Sequence, residues 1–399
     1  MKLGDLANIM VGFPFKSEEF NTQGRGVHLV RGKNVTRGTL RFGSDEFWWD
    51  DYTDARIDGY RLREDDVVIG MDGSRVGQNF ARVTNNDLPA LLVQRVACLR
   101  AKSGVSQDFL YAAISNGRFT RYVEQSRTGT SIPHISSKQI AEFEIPDLDP
   151  GQMWAVGSFT RNIDDLVNSL SRTNDYLEQC LLAQYDHLFG VDDAYDGTIA
   201  DIGDVIGGAT PSKKKPEYYC SDGIGWITPR DLSNTADKFI AHGADDITQL
   251  GYDSCSVKML PAGTVLFSSR APIGYIAIAA DNVTTNQGFK SVVPHEGIGT
   301  AFVYCFLKRN KERIADAGSG TTFPEVSGKT MAGIELSLPD IELCTEFSEW
   351  AEPLLNQQRC LEEENRELGE LRDALLPKLM TGEIDVSDIE LPTPPNNHL

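Results

Sequence analysis

The chain has 399 residues, 40% of them hydrophobic, and a net charge of −20, which predicts two to three domains with ordinary cores. It has no run of about eighteen apolar residues, so no membrane span is expected, and its beginning lacks the apolar stretch of a secretory signal. Seven cysteines without a Cys-x-x-Cys pair favour reduced thiols in a cytoplasm. These features argue against a membrane span and against a disulfide-stabilised secreted protein.

The negative charge is unevenly distributed along the chain. Residues 1–150 and 198–343 carry net charges of −1 and −4, whereas residues 151–197 and 344–399 carry −6 and −9. Two nearly neutral segments therefore alternate with two acidic ones. A nearly neutral domain can still present a basic face to phosphate, because affinity depends on local Lys and Arg side chains.

The chain contains a long internal repeat with a period of about 191 to 199 residues. Gly129–Lys138 aligns without a gap on Gly320–Lys329, and Val30–Val35 matches Ile227–Leu232. The matches keep their order, which makes chance resemblance a poor explanation. Further matches are Leu3–Asp5 with Ile202–Asp204, Gly12–Pro14 with Gly208–Pro211, Val67–Ile69 with Val265–Phe267 and Gln94 with Gln287.

Within the first copy, short apolar strands separated by turns precede a helical stretch. Val27–Val30, Asp66–Gly70 and Leu92–Leu99 have the apolar runs of strands, and about Ser106 to Gln125 has a helical apolar stripe. The second copy repeats this order and ends in a helix at about Gly299 to Ala317. The pattern predicts an α+β fold with strands first and helices late.

Each copy is followed by one long polar helix, at about Gln152 to Leu188 and Leu343 to Leu379. Asn365 falls in the second apolar seam, Glu362–Glu364 falls on its polar side, and Pro377 is expected to end or bend the helix near Thr381–Gly382. The apolar seams consist of Ile163, Leu166, Leu170, Leu177, Leu181 and Leu188 in the first helix, and Leu354, Leu361, Leu368, Leu375 and Leu379 in the second.

Two such helices in one chain pack most economically on each other. Because both follow equivalent domains, a symmetric arrangement makes them an antiparallel coiled coil about a pseudo-two-fold axis. A helix of about 35 residues is about 50 Å long, which corresponds to about one to one-and-a-half turns of duplex DNA. We therefore divide the chain into domains at 1–150 and 198–343, helices at 151–190 and 344–382, and a flexible acidic, proline-containing tail at 383–399.

Basic and small hydroxyl residues in exposed turns are the candidates for contact with nucleic acid. The three-lysine run from Lys213 is either a solvated surface or a phosphate contact. The Gly-Thr phrases are either structural turns or phosphate-binding loops. Arginine in a turn can read guanine or hold a phosphate. The candidate DNA-binding residues are Lys16, Arg31, Lys33, Arg75, Thr130, Lys213, Lys214, Arg230, Arg270 and Thr321.

Motifs for catalysis are absent from the sequence. There is no dinucleotide-binding or Walker glycine loop, no metal-ligand cluster among the six histidines and no Gly-x-Ser-x-Gly elbow. Acidic residues are plentiful, but no acidic cluster recurs in both copies. The sequence favours a protein that binds and positions its target over one that reacts with it, and no cofactor is expected on this chain.

With this organisation, the chain resembles the specificity (S) subunits of type I restriction-modification systems. The resemblance covers about residues 1–382. It is carried by the order domain, helix, domain, helix and by the paired Gly-Thr phrases. It is also carried by the segments Gly207–Pro211, Trp226–Leu232 and Leu375–Ile384.

The resemblance implies a non-catalytic subunit with two target recognition domains, each reading half of a bipartite double-stranded DNA sequence. The helices would form the conserved spacer and dock two adenine methyltransferase (M) subunits, which bring S-adenosylmethionine. Restriction (R) subunits would bring ATP- and Mg²⁺-dependent cleavage. The partner-binding candidates on the helices are Leu166, Leu170, Leu177, Leu361, Leu368 and Leu375.

Three alternatives remain at the level of the sequence. One is a specificity subunit of a methylation-only or phage-defence complex. Another is an acidic DNA mimic that inhibits such enzymes, which the net charge of −20 suggests but the concentration of acid on the helices disfavours. A third is a self-contained enzyme with an unrecognised active site.

Overall fold

The computed structural model of the protein describes residues 1–43, 46–50, 55–129, 133–190, 196–270, 272–320 and 324–384. The chain divides into two compact units. Unit 1 consists of Met1–Val167 and Glu367–Leu399, and unit 2 consists of Asn168–Arg366. Both units contain sheets and helices, and each includes part of both long helices, so the expected α+β class is confirmed.

In its described residues, unit 1 contains eight short strands and four short α-helices before the first long helix, which continues into unit 2. The strands are β1 (Ala7–Val11), β2 (Val27–Val30), β3 (Arg37–Gly38), β4 (Trp48–Trp49), β5 (Val67–Gly70), β6 (Phe80–Arg82), β7 (Ala90–Leu92) and β8 (Val96–Ala101). The helices are α1 (Leu3–Leu6), α2 (Gln107–Ser115), α3 (Gly117–Ser126), α4 (Ser137–Ala141) and α5 (Pro150–Phe189).

The main sheet of unit 1 has the strand order β1-β8-β5-β6-β3. Its neighbours are antiparallel except β3, which runs parallel to β6. Val67, Val68 and Ile69 are fully buried on both faces of the central strand β5, which explains their continuous apolar run. A second sheet has the order β4-β2-β7, with β2 parallel to β7.

Unit 2 contains counterparts of the main elements of unit 1, together with further short strands. Its strands are β9 (Gly197–Thr198), β10 (Gly203–Gly207), β11 (Tyr219–Cys220), β12 (Trp226–Ile227), β13 (Phe239–Ile240), β14 (Asp246–Ile247), β15 (Val265–Ser269), β16 (Ile273–Ala279), β17 (Thr284–Thr285), β18 (Lys290–Pro294) and β19 (Glu335–Leu336). Its helices are α6 (Ile199–Ile202), α7 (Pro229–Asn234), α8 (Gln249–Asp253), α9 (Gly299–Arg309), α10 (Lys311–Asp316), α11 (Gly328–Ala332) and α12 (Ile341–Met380).

The strand order of the two main sheets is the same, which confirms the repeat. Unit 2 has the order β10-β18-β15-β16-β13, with β13 parallel to β16, and β12 runs parallel to β17 as β2 does to β7. Each late helical stretch, expected as one helix, is broken at an asparagine. Asn116 caps α3 by accepting from the Arg118 backbone N–H at 2.8 Å, and Asn310 separates α9 from α10.

The two long helices, α5 and α12, have 40 residues each. In unit 2 they run antiparallel, because Asn365 Nδ2 donates to Ser171 Oγ at 3.0 Å while Asn174 Nδ2 donates to Glu362 Oε1 at 3.0 Å. The expected coiled-coil pairing is thus confirmed, and Asn365 lies at the contact between the helices. Helix α12 continues through Pro377 to Met380 and ends at the expected place.

Glu362 was expected on the polar side of α12, but the structure buries it at 6% exposure. Its carboxylate accepts the backbone N–H groups of Lys238 at 2.9 Å and Phe239 at 3.0 Å. These donors are at the start of β13, an edge strand whose amides need acceptors. The expectation was wrong because a carboxylate can be buried when it replaces a missing strand partner.

Candidate functional site

Three loops of unit 1 meet at one end of its sheets. The backbone N–H of Phe13, after β1, donates to the Leu92 carbonyl at 3.0 Å, and the Gln94 N–H donates back to the Phe13 carbonyl at 2.9 Å. The Val93 N–H donates to the Val30 carbonyl, at the end of β2, at 3.1 Å. We call the surface formed by residues 12–20, 31–34, 72–75, 94–95 and the ends of the Gly-Thr phrase the unit 1 loop surface.

Basic side chains and aromatic rings lie together on this surface. The Arg31 guanidinium is 4.1 Å from the centroid of the Phe47 ring and the Lys33 ammonium is 5.9 Å from it. Arg31, Lys33, Gln94 and Arg95 line one shallow cleft. Lys16 is exposed and lies 3.6 Å from Glu19. Of the candidates in unit 1, the structure therefore brings Arg31 and Lys33 together.

Arg95 is a candidate that the sequence analysis missed. Its φ is 67°, a left-handed conformation that non-glycine residues adopt at a cost. Its side chain is 65% exposed and donates from Nη1 to Asp72 Oδ2 at 3.1 Å. Strained, exposed residues of this kind concentrate at functional sites. The available signal was its position directly after Gln94, which the repeat pairs with Gln287.

The first Gly-Thr phrase is attached to the turn that contains Arg75. The Gly73 N–H donates to the Pro133 carbonyl at 3.0 Å, and Asp72 forms a β-bridge with His134. Arg75 is exposed in this turn. The phrase thus has a structural role at its flanks, whereas Thr130 and its counterpart Thr321 lie outside the described residues.

Unit 2 forms an equivalent surface from the same three loops. The Ala209 N–H donates to the Thr285 carbonyl at 3.0 Å, and the Asn286 N–H donates to the Ile227 carbonyl at 3.0 Å. Thr210 Oγ1 donates to Gln287 Oε1 across these loops. We call residues 208–219, 228–231, 269–270, 286–290 and the flanks of the second Gly-Thr phrase the unit 2 loop surface.

A charged cluster lies at the centre of the unit 2 loop surface. Arg270 Nη1 is 3.8 Å from Glu325 Oε2, and Lys290 Nζ is 3.4 Å from Glu325 Oε1. Arg270 forms a β-bridge with Glu325, as Asp72 does with His134 in unit 1. Arg270 is therefore equivalent to Asp72 and not to Arg75. Lys290 is a second residue that the sequence analysis missed.

The three-lysine loop has different surroundings at each lysine. Lys213 and Lys214 are exposed. Lys215 Nζ donates to the Tyr218 hydroxyl at 2.9 Å, and this hydrogen bond raises the pKa of Lys215. The Tyr219 hydroxyl donates to the Pro211 carbonyl at 2.7 Å and fixes the base of the loop. These hydrogen bonds fix the conformation of the loop, which projects positive charge from the unit 2 loop surface.

Lys33 and Arg230 occupy the same position in two capped turns. In unit 1, the Arg31 N–H donates to Asn34 Oδ1 at 3.1 Å. In unit 2, the Thr228 N–H donates to Asp231 Oδ2 at 2.7 Å. The turn in unit 1 directly follows β2, and the turn in unit 2 directly follows β12, the strands that run parallel to β7 and β17. Lys33 and Arg230, which lie between the donor and the acceptor of these capping bonds, are therefore equivalent. The expected match of these segments is confirmed by these bonds.

Two further groups of residues bear on function. Leu166 is 43% exposed, Leu361 is 5% exposed, and Leu170, Leu177, Leu368 and Leu375 are half-buried on their helices. Their role in binding partners stays a prediction. In the part of the chain that the structure describes, there is no group of His, Cys, Asp or Glu suited to a metal ion, and no helix is long and apolar enough to cross a membrane.

Segments of this chain are similar to known proteins. Residues 192–363 match the family model of the type I restriction modification DNA specificity domain. The MjaIX specificity subunit of Methanocaldococcus jannaschii is 44% identical over 146 residues, which cover 36% of this chain and 34% of that protein. The HindI specificity subunit of Haemophilus influenzae is 30% identical over 189 residues, which cover 47% of this chain and 40% of that protein.

A solved structure extends the likeness over nearly the whole fold. The S subunit of a type I restriction-modification system from M. genitalium covers 95% of both chains with a TM-score of 0.58 and 17% identity, which shows a shared fold. Residues 192–363 are therefore similar to a DNA specificity domain. The chain as a whole shares its fold with the S subunit of a type I restriction-modification system. It spans between 34% and 40% of the length of the two curated relatives described above.

Proposed function

We propose that this protein is the sequence-specific DNA-recognition subunit of a type I restriction-modification complex. The recognition domains, at 1–150 and 198–343, each read one half of a bipartite double-stranded DNA target. The protein thereby directs adenine methylation and restriction, which partner subunits carry out, and has no catalytic role of its own. It acts in the cytoplasm, where the DNA is.

One observation carries this proposal: the same loop surface, with a basic residue at the same capped turn, is built twice in one chain. A surface that positions Lys and Arg side chains among exposed turns can hold phosphates and reach base edges. Two copies with different side chains suit a target with two different halves. The match of residues 192–363 to a DNA specificity domain supports the same reading.

The partners follow from the same proposal. Two M subunits dock on the long helices, where the predicted contact residues are Leu166, Leu170, Leu177, Leu361, Leu368 and Leu375. These subunits bring S-adenosylmethionine, and R subunits bring ATP and Mg²⁺. The acidic charge of the helical segments suits protein contacts better than contacts with DNA.

The alternative of an acidic DNA mimic has no comparable support. The relatives described above are named as specificity subunits and not as inhibitors. A mimic needs carboxylates arranged like phosphates on its globular surface. Here exposed basic residues such as Lys213, Lys214 and Arg230 project from the loop surface of unit 2.

Co-expression with a methyltransferase partner tests the function. The complex is expressed in a host that lacks other adenine methylation, and methylated adenines are mapped across the host DNA. The expected result is a single bipartite motif with a fixed gap. Methylation without sequence preference, or inhibition of methylation, would contradict the proposal.

A further inference from the structure

The two loop surfaces can be compared residue by residue through their backbone hydrogen bonds. The Met71 N–H donates to the Arg95 carbonyl at 2.9 Å, and the Ser269 N–H donates to the Gly288 carbonyl at 2.7 Å. Together with the bonds of the three loops described above, these bonds define equivalent positions without reference to sequence identity. The equivalent pairs are Lys33 with Arg230, Asp72 with Arg270, Gln94 with Gln287, Arg95 with Gly288 and His134 with Glu325.

Some of these positions have the same chemistry in both units. Lys33 and Arg230 are both basic and both exposed, in turns capped in the same way. Gln94 and Gln287 are the same residue at the same turn. A side chain with the same chemistry in both units is suited to a feature that the two DNA half-sites share. That common feature is the phosphate backbone, which carries no sequence information.

Other positions change their charge between the units. Asp72 becomes Arg270, Arg95 becomes Gly288, and His134 becomes Glu325. Unit 1 therefore presents a carboxylate bound to an arginine from the turn after β7, while unit 2 presents an arginine and Lys290 around a carboxylate. The pattern of donors and acceptors differs, and this is what distinguishes one set of base edges from another.

We propose that different residues of each loop surface contact phosphates and bases, an inference that rests on the proposed function. Lys33 and Arg230 hold DNA phosphates and set the position of each unit. The Asp72–Arg95 pair in unit 1 and the Arg270–Glu325–Lys290 cluster in unit 2 read bases. Asp72 is a positioning residue, because its carboxylate accepts from the Arg95 guanidinium at 3.1 Å and orients it.

The phosphate role is tested in the complex with the methyltransferase partner. The affinity of the Lys33→Ala and Arg230→Ala complexes for two DNA duplexes is measured over a range of salt concentrations. One duplex contains the motif that the wild-type complex methylates, and the other contains a scrambled sequence. Each variant is expected to weaken binding to both duplexes by the same factor. It is expected to lower the slope of log K against log salt by about 0.9, with the motif unchanged. Lys102→Ala and Lys258→Ala, at exposed lysines outside the loop surfaces, are the controls.

The base-reading role predicts the opposite pattern. Arg95→Ala and Arg270→Ala are each expected to relax one half of the motif, with a loss of about ten- to hundredfold in discrimination at that position and the other half intact. Asp72→Asn is expected to relax the same half as Arg95→Ala, and thermal unfolding confirms that each variant is folded. The inference is overturned if Lys33→Ala or Arg230→Ala changes the motif, or if Arg95→Ala and Arg270→Ala weaken binding to all duplexes equally. A wild-type complex without any bipartite motif would instead overturn the proposed function, and this inference with it.

Discussion

Arg372 on helix α12 donates from Nη1 to Asp164 Oδ1 on helix α5 at 2.9 Å, which joins the two helices within unit 1. The side chains of Arg372 and Asp164 are only 24% and 15% exposed. Burial raises the pKa of Asp164, although the charge and hydrogen bond of Arg372 oppose this shift. The carboxylate therefore depends on its arginine to stay ionised.

Arg372→Ala is expected to lower the free energy of unfolding by about 1–3 kcal/mol at neutral pH, because it leaves a buried carboxylate unpaired. Without Arg372 the pKa of Asp164 rises further above its unfolded value. The folded state then binds more protons than the unfolded state. The free energy of unfolding therefore falls as pH rises from the unfolded pKa of Asp164 to its folded pKa. Urea unfolding at about pH 5 and pH 8 should show the larger loss at pH 8. An equal or larger loss at pH 5 would contradict the assignment; Arg366→Ala, in an exposed ion pair, is the control.

Glu362→Ala is expected to destabilise unit 2 by about 2–4 kcal/mol, because the backbone N–H groups of Lys238 and Phe239 lose their acceptors. Hydrogen exchange at these two amides should accelerate, and the urea midpoint should fall. Glu364→Ala, two residues along the same helix at an exposed position, should change neither. Unchanged exchange in Glu362→Ala would show that the carboxylate does not hold the edge of β13.

Gly208→Ala is expected to disrupt the unit 2 loop surface, because its Cβ would overlap the carbonyl oxygens of Thr285 and Asn286. Gly12 has the equivalent contact with the Val93 carbonyl in unit 1. We expect a loss of stability of about 1–3 kcal/mol for either variant and weaker DNA binding. Gly369→Ala is the matched control, since a Cβ there meets nothing within 4 Å. In the middle of α12 it should raise stability by about 0.5–1 kcal/mol.

On the proposed function, exchange of residues 1–150 for the corresponding segment of a known specificity subunit is expected to change one half of the methylated motif and leave the other half intact. The reason is that each unit has its own cores and its own loop surface. Mapping of methylated adenines provides the readout. A change in both halves would refute independent reading by the two units.

The repeat made much of the fold predictable from sequence. Matches such as Val67–Ile69 with Val265–Phe267 fall on equivalent central strands, β5 and β15. The two helices were predictable because apolar residues recur along about 35 residues, far longer than an ordinary helix. The match of Lys33 with Arg230 was also visible, since the surrounding turns have the same length in both copies.

What could not be predicted depends on contacts between distant segments. Glu362 has two acidic neighbours and looks solvated, yet it is buried because strand β13, more than 120 residues earlier, needs an acceptor. The equivalence of Arg270 with Asp72 was not visible, because alignment cannot place residues in turns of unequal length. Arg95 stands out only through its backbone angle and its bond to Asp72, and neither is visible in a single sequence.

The chain order of unit 1 has a consequence for its biogenesis. Leu376, Leu379 and Met380, near the end of α12, are part of the main hydrophobic core of unit 1. The ribosome synthesises these residues only after all of unit 2. The hydrophobic core of unit 1 therefore cannot be complete until the end of α12 has been translated. A premature stop codon late in the gene would therefore damage the part of the protein that was translated first.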